Sequence, residues 1–151
     1  MRKPRWARAR ALGLRLPQDD TAPGLLIQGG DEMGMGLEFE CIPIEKDEGT
    51  SAILGHAGFI KTVEDLYEAM LCSVPGVKFG IAFPEASDPC LVRSEGNDED
   101  LRAQAERSLL KIAAGHTFLI LFTGAYPINV ITNVRNVSEV AAIYCAFAAI
   151  S

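Results

Sequence analysis

The sequence IKTVEDLYEAMLCSVPGVKFGIAF, residues 60–83, contains the strongest structural pattern of the chain. Thr62 is followed three residues later by Asp65, a variant of the capping box that marks the start of a helix. Apolar side chains then recur at the helical spacing, at positions 63, 66, 67, 70 and 71. The pair Pro75-Gly76 predicts a turn, and the nearly continuous apolar run 77–83 predicts a buried strand.

Strands and helices alternate on both sides of this stretch. Upstream, Leu37–Cys41 alternates apolar and acidic residues as a half-buried strand does, and Ser51–Leu54 predicts a second strand. Downstream, the sequence predicts a strand at Cys90–Arg93, a helix at Glu99–Ala113 that stops at Gly115, a strand at Thr117–Phe122, a helix from Pro127 to about Val134, and a strand at Val140–Phe147. The fold class predicted is α/β, a single domain with a mixed β-sheet covered by helices.

Length and composition fit one domain, because 151 residues with 48% hydrophobic content suffice to bury a core. We assign residues 37–151 to this domain and residues 1–36 to a flexible N-terminal extension, which is rich in glycine and lacks a sustained apolar period. The Arg-rich start favours a disordered extension or a misplaced start codon over an organelle transit peptide. The apolar end of the chain, at 148–151, predicts either truncation or a last strand covered by a partner subunit.

The charge is unevenly distributed along the chain. The first sixteen residues carry six basic side chains and no acidic one, whereas the whole chain has a net charge of −6. The remainder is therefore acidic, which argues against nonspecific binding of nucleic acid. A ligand phosphate would need local donors in the loops, because the overall field repels it.

The four cysteines are widely spaced along the chain and form no CxxC pair. This spacing predicts free thiols in a reducing compartment, and hence a cytoplasmic protein. No apolar run reaches the roughly 18 residues of a membrane span, so no membrane partner is expected.

The loop GHAGFIKT, residues 55–62, joins a predicted strand to the predicted helix. Free amides at a helix start attract phosphate, and Lys61 and Thr62 would add a cation and a hydroxyl. The loop is not a Walker A motif, because no glycine directly precedes the Lys-Thr pair. On the residues alone, the favoured interpretation is that Thr62 only caps the helix and Lys61 is solvated.

Two further loops, 84–89 and 93–98, concentrate polar groups at strand ends, the usual location of ligand sites in α/β sheets. Glu95 and Asp98 could hold Mg²⁺ or take a proton from a substrate hydroxyl, although a carboxylate-rich turn is more often a solvated loop. His116 directly precedes a predicted strand. Its role is open between a structural residue, a general base and a phosphoryl carrier. No second His or Cys lies at metal-ligand spacing, so zinc is disfavoured.

Several strings of the sequence, in this order, resemble the adenosine-specific kinase family. They are IKTVEDLYEAM (60–70), SVPGVKFGIAF (73–83), EAS (85–87), EGNDED (95–100), AGH (114–116) and YPINV (126–130). The resemblance covers about Leu37–Cys145, and the shared order of independent strings makes it specific. It implies binding of adenosine or AMP, phosphoryl transfer to adenosine from a nucleoside triphosphate, a homotrimer, and phosphorylation on histidine.

The same resemblance assigns the polar residues to a nucleotide pocket. The residues predicted to bind nucleotide or phosphate are Lys61, Thr62, Glu85, Ser87, Arg93 and Asn97, and the predicted catalytic residues are Asp98, Glu95 and His116. In the simplest mechanism Asp98 or Glu95 takes the 5′-hydroxyl proton, while basic side chains neutralise the transferred group. Here Lys61 and Arg93 supply that charge, and His116 donates a hydrogen bond or carries phosphate transiently.

The sequence departs from the family pattern at two places. Gly58 stands where a histidine commonly precedes the phenylalanine, and His56 lies two residues earlier. Family members also continue beyond the strand at Cys145. These departures favour the alternative function, a non-catalytic module that binds AMP or adenosine for regulation.

Overall fold

The computed structural model describes residues 40–59, 61–84 and 91–149. In these ranges the elements, in chain order, are β1 (Ser51–Ala57), α1 (Thr62–Leu71), β2 (Lys78–Pro84), β3 (Val92–Gly96), α2 (Glu99–Ile112), β4 (Thr117–Thr123), α3 (Pro127–Arg135) and β5 (Val140–Phe147). The sequence predicts all of these elements, with bounds that differ by a few residues. The predicted strand at 37–41 lies mostly outside the described residues, as does the predicted extension, and Glu40 and Cys41 are not in a strand.

The strands form one sheet in the order β3-β2-β4-β1-β5. The predicted single α/β domain is thereby confirmed. In one detail the sheet differs from the expected mix of parallel and antiparallel pairs, because its described neighbours are all antiparallel. The connections explain this. Each helix connects two strands that run parallel to each other but are not neighbours in the sheet. An antiparallel strand lies between the two and pairs with both.

Helices cover both faces of the sheet. On one face α1 and α3 pack on the aromatic side chains of the central strands, with Leu66 and Val130 against Phe79 and Phe122. On the other face α2 packs on smaller side chains of the same strands, including Ala82. β2 and β4 are therefore buried on both sides, which explains their continuous apolar sequence.

Glycine at position 80 allows α2 to approach the sheet closely. A Cβ atom on Gly80 would overlap the backbone of Leu101 and Arg102 in the first turns of α2. A side chain would therefore push the helix away from β2. This contact fixes the height of α2 above the sheet.

Two helix ends differ from the predicted caps. The N-cap of α1 is Lys61, not Thr62, because Thr62 already has helical geometry and its hydroxyl donates to the carbonyl oxygen of Phe59. α2 begins at a side-chain cap, since the Asp98 carboxylate accepts a hydrogen bond of 3.2 Å from the Leu101 amide. α2 stops at a left-handed residue, Ala113 with φ of 53°, ahead of the predicted stop at Gly115.

The chain before β1 is clasped to α2 by side chains, and we call residues 45–47 the clasp. The Glu45 amide donates to the Ser108 hydroxyl over 2.9 Å, and the Gln104 amide group donates to Asp47 over 2.7 Å. The Glu45 carboxylate also pairs with Lys111 and, over 3.0 Å, with Arg107. The hydrogen bond from Lys111, and then that from Arg107, lowers the pKa of Glu45.

Candidate functional site

Several elements bring polar side chains together at one end of the sheet. β1 and β2 end there, while β3, α1 and β4 begin there. We call this region the histidine end, defined by His56, Lys61, Phe83, Arg93 and His116. The ends of strands and the start of a helix expose unpaired backbone groups, so this is the natural place for a ligand on this fold.

His116 is held in one orientation by β1. Its backbone carbonyl accepts from the Ala57 amide over 2.9 Å, and its Nδ1 lies 3.2 Å from the Ala57 carbonyl oxygen. Because a carbonyl oxygen only accepts, Nδ1 of the neutral ring donates this bond and Nε2 keeps its lone pair. His116 also has a φ of 62°, a left-handed conformation that is costly for a non-glycine residue. The fold thus presents an imidazole with an available Nε2.

His56 is the second imidazole of the site. Its ring centroid lies 5.7 Å from that of His116, and it projects from β1, which pairs with β4. The two histidines of the chain, sixty positions apart in sequence, are therefore neighbours. The sequence placed His56 in a candidate phosphate loop but contained no signal that would pair it with His116.

The start of α1 supplies one cation, and it is already paired. The Lys61 ammonium lies 2.8 Å from the Asp65 carboxylate, one helical turn away. The hydrogen bond to Asp65 is the main cause that raises the pKa of Lys61, so this side chain remains protonated. The Thr62 hydroxyl is buried against the Phe59 carbonyl and is engaged within the fold. Of the two residues, Lys61 is the one that solvent and ligands can reach.

Arg93 joins β3 to α1 at the histidine end. One guanidinium nitrogen lies 3.0 Å from Oε1 of Glu64, in the first turn of α1. The other carboxylate oxygen, Oε2 of Glu64, is buried and has no hydrogen-bond partner in the described part of the chain. An unsatisfied buried carboxylate oxygen is unusual in a native protein, and a ligand hydroxyl would satisfy it. The sequence indicated Arg93 but not Glu64, whose position in a helical first turn looked ordinary.

Asn97 and Asp98 lie at the opposite end of β2. The Asn97 side chain accepts from the Phe79 amide and donates to the Val77 carbonyl, both over 2.8 Å. Asp98 caps α2, and its second oxygen lies 3.6 Å from Lys78. Both side chains therefore hold the fold together at this end, away from His116.

The remaining predicted residues divide into two groups. Glu95 is exposed on β3, two residues from Arg93 and thus on the same face of the strand. Glu85 and Ser87 lie outside the described residues. The structure accordingly brings Lys61, Thr62, Arg93 and His116 to one end of the sheet. Glu95 lies nearer the other end of β3, and Asn97 and Asp98 lie at that other end.

Two negative findings apply to the described residues. In residues 40–59, 61–84 and 91–149, no group of three or more His, Cys, Asp or Glu side chains could hold a metal ion. In the same ranges no helix has the length and apolar character needed to cross a bilayer.

A groove of about 430 Å³ lies between α3 and β5. It is lined by Ile131, Arg135 and residues 140–143. None of the predicted site residues lines it, so the histidine end, and not this groove, is the candidate site.

Comparisons with known proteins show the family of this chain. The protein-family model for adenosine specific kinase matches residues 42–150. Among solved structures, the crystal structure of the PH1918 protein from Pyrococcus horikoshii OT3 is 51% identical in sequence with a TM-score of 0.67, covering 70% of this chain and 65% of that chain. The chain thus spans less than two thirds of that protein, and comparison with curated proteins finds no match. With most of its length matched by the family model, this chain belongs to the adenosine-specific kinase family.

Proposed function

We propose that this chain binds adenosine and AMP at the histidine end and transfers a phosphoryl group to adenosine. Family membership supports the class of substrate. One structural observation carries the proposal, namely that His116 has an available Nε2 at the end of the sheet where Arg93 and the start of α1 also lie. An oriented imidazole beside two cationic side chains suits a reaction that moves a charged phosphoryl group.

In the proposed reaction the 5′-hydroxyl oxygen of adenosine attacks the terminal phosphorus of a nucleoside triphosphate. The bond from that phosphorus to the bridging oxygen breaks, and the nucleoside diphosphate leaves with the bonding electrons. The hydroxyl proton passes to a base of the protein. Arg93 and Lys61 would neutralise charge on the transferred group, which is where most of the acceleration of phosphoryl transfer arises.

Of the two carboxylates predicted as the base, the geometry favours Glu95. Glu95 shares a face of β3 with Arg93, whereas Asp98 is occupied by the cap of α2 and by Lys78. Nε2 of His116 is a third candidate for this proton, because its lone pair is available. The same nitrogen would be the one phosphorylated if the family's histidine phosphorylation extends to this chain.

We propose Mg²⁺ only as an ion that binds together with the nucleoside triphosphate. Protein sites often hold Mg²⁺ through one or two carboxylates together with substrate phosphates. The described residues contain no cluster that could hold a metal ion alone, and the Asp98 carboxylate is already engaged. We therefore expect the ion to enter with the triphosphate, and no step above depends on it.

We also propose a cytoplasmic homotrimer. Several large apolar side chains are exposed on the described surface, and burial in a subunit contact would remove them from water. They include Phe59, Leu71 and Ile128. Sedimentation equilibrium of the purified protein would measure the assembly, and a monomer at all concentrations would contradict it.

A second candidate function is a binding module that holds AMP without turnover. The observation in its favour is that Asp98, one of the predicted bases, serves the fold as a helix cap. Under this alternative the histidine end keeps its selectivity for the adenine nucleoside but lacks a competent base. Binding measurements alone do not separate the two functions, and turnover does.

The test begins with calorimetric titration of adenosine and AMP, with GMP as the control, followed by an assay of AMP formation from adenosine, ATP and Mg²⁺. Selective binding with turnover supports the kinase, and selective binding without turnover supports the module. A folded protein that binds neither adenosine nor AMP would overturn both.

The variant His116→Asn then tests the imidazole. Asparagine tolerates the left-handed conformation of position 116, so the backbone is preserved while Nε2 is lost. We expect turnover to fall roughly 10²- to 10⁴-fold, as for loss of a general base. Tyr126→Ala, beyond the other end of β4 and outside the histidine end, is the control, and equal losses in both variants would contradict a special role for His116.

A further inference from the structure

Four aromatic rings form a row across the histidine end. Neighbouring ring centroids are 6.4 Å apart for Phe83 and His116, 5.7 Å for His116 and His56, and 6.3 Å for His56 and Tyr144. The row follows the order of the strands, from β2 past the start of β4 and across β1 to β5. Phe83 at its inner end is buried, whereas Tyr144 at its outer end is 58% exposed.

Tyr144 is positioned by a bulge in β5. Leu54 of β1 pairs with Cys145, but the next residue, Gly55, pairs with Ile143, so Tyr144 is the extra residue. A bulge redirects the side chain of the extra residue, and bulges are frequent beside active sites. Gly55 permits the arrangement, because a Cβ atom there would overlap the Phe118 ring and the Ala142 carbonyl oxygen. Two features of the backbone thus direct the Tyr144 ring towards His56.

An open ring beside a second ring is a surface suited to a flat ligand. Aromatic side chains stack on nucleobases, whose faces are planar and apolar while their edges carry polar groups. The His56 and Tyr144 ring planes are inclined by 47°, so the two side chains are not stacked on each other. The outer part of the row therefore offers ring surface to a ligand.

We infer that Tyr144, with His56, is the platform on which the purine base of the ligand stacks. The inference rests on the proposed function and adds which residues hold the base. With the base on Tyr144, the ribose would extend along the row towards His116, whose Nε2 is available. The row thus orients the nucleoside, with its base at the exposed end and its 5′ group towards His116.

The test compares three substitutions of Tyr144 by calorimetric titration with adenosine, AMP and ribose 5-phosphate. Tyr144→Ala removes the ring, Tyr144→Leu keeps an apolar side chain without a ring, and Tyr144→Phe keeps the ring without the hydroxyl. Tyr126→Ala is the matched control, because Tyr126 is also an exposed tyrosine, at 64%, but stands at the start of α3 beyond the other end of β4. Thermal unfolding of each variant checks the fold.

We expect Tyr144→Ala and Tyr144→Leu to weaken adenosine and AMP binding by about 5- to 150-fold, the usual effect of losing one stacked base. Tyr144→Phe and Tyr126→Ala should bind both ligands as the wild type does. Ribose 5-phosphate has no base, so its binding should be the same in every variant.

Unchanged AMP affinity in folded Tyr144→Ala would overturn the platform and leave the proposed function intact. If the wild type binds neither adenosine nor AMP, the proposed function fails, and the same variants are titrated with GMP, CMP and UMP. Binding of GMP that requires the ring supports the purine platform, and binding of none, or of CMP or UMP alone, overturns it.

Discussion

The Asn97 side chain joins two backbone groups beside the start of β2. It accepts from the amide of Phe79 and donates to the carbonyl of Val77, while the backbone amide of Asn97 donates to the Phe79 carbonyl over 3.1 Å. This residue thus ties the turn after β3 to the start of β2. A polar residue in a loop that resembles a ligand site can therefore serve the fold alone.

Replacing Asn97 by alanine should destabilise the fold. Asn97→Ala removes two side-chain hydrogen bonds and leaves the Phe79 amide without its partner, so we expect a loss of roughly 1–3 kcal/mol in the free energy of unfolding. Urea denaturation measures this loss. Asn136→Ala is the control, because the side chain of Asn136 makes no hydrogen bond in the described part of the chain. A stable Asn97→Ala that loses AMP binding would instead return Asn97 to the pocket.

At the scale of the element, the clasp on α2 depends on the charge of Glu45. Pairing with Lys111 and Arg107 lowers the pKa of Glu45 in the folded state, so the ionised carboxylate stabilises the fold. This stabilisation is fully present above the unfolded pKa, about 4.3. It is lost as the pH falls through the lower value of the folded state.

Glu45→Gln should therefore be less stable than the wild type near neutral pH, and the difference should shrink as the pH falls below the unfolded pKa of about 4.3. Urea midpoints measured across this range give the result, and added salt should reduce the difference at neutral pH because the pair is partly exposed. Glu48→Gln serves as the control, since Glu48 makes no ion pair in the described ranges. A difference that does not change with pH would contradict the role of the charge.

The elements themselves were predictable because their signals are local. α2 carries its cap at Asp98 and its apolar face in one stretch, and β4 is an unbroken apolar run between polar ends. The pairing of strands was not predictable in the same way. Strand pairing depends on which strand lies between the two strands that each helix connects, and no single segment of the sequence encodes this order.

The candidate site likewise combines residues that the sequence indicates with residues that only the folded structure brings together. Lys61 and Arg93 sit at element ends, where the sequence indicates them. His56 and Tyr144 become neighbours only through the pairing of β1 with β5 and the bulge between them. Glu64 was missed because its ion-pair partner, Arg93, comes from another element. Local pattern finds residues at element ends, and contacts between distant strands require the folded sheet.

At the scale of the whole molecule, the sheet has a protected centre and an open side. β4 pairs with β1 and β2, whereas β5, within the described residues, pairs with β1 alone and is partly exposed on both faces. We expect the amides of β4 to exchange with solvent only on global unfolding, and those of β5 that do not pair with β1 to exchange fastest. Hydrogen exchange read by NMR or mass spectrometry measures this order.

The same measurement reports on assembly. If subunits meet along β5, exchange of its amides should slow as protein concentration rises, while exchange in β4 stays constant. Tyr144→Ala should not alter β4. Fast exchange of β5 at every concentration would show that its outer edge remains open, and slow exchange of those amides in dilute monomer would contradict the position of β5 at the edge of the sheet.

The order of the strands also governs how the chain must be made. β1 is the first strand of the described sheet to be made, yet its two neighbours, β4 and β5, follow about 60 or more residues later. At the usual rate of about 5–20 residues per second, β1 waits on the order of seconds with both edges unpaired. The nascent chain therefore exposes an apolar, pairing-competent segment while the residues between β1 and β4 are made. The emergence of β4 and β5, more than that of any helix, is the event that lets the sheet close around β1.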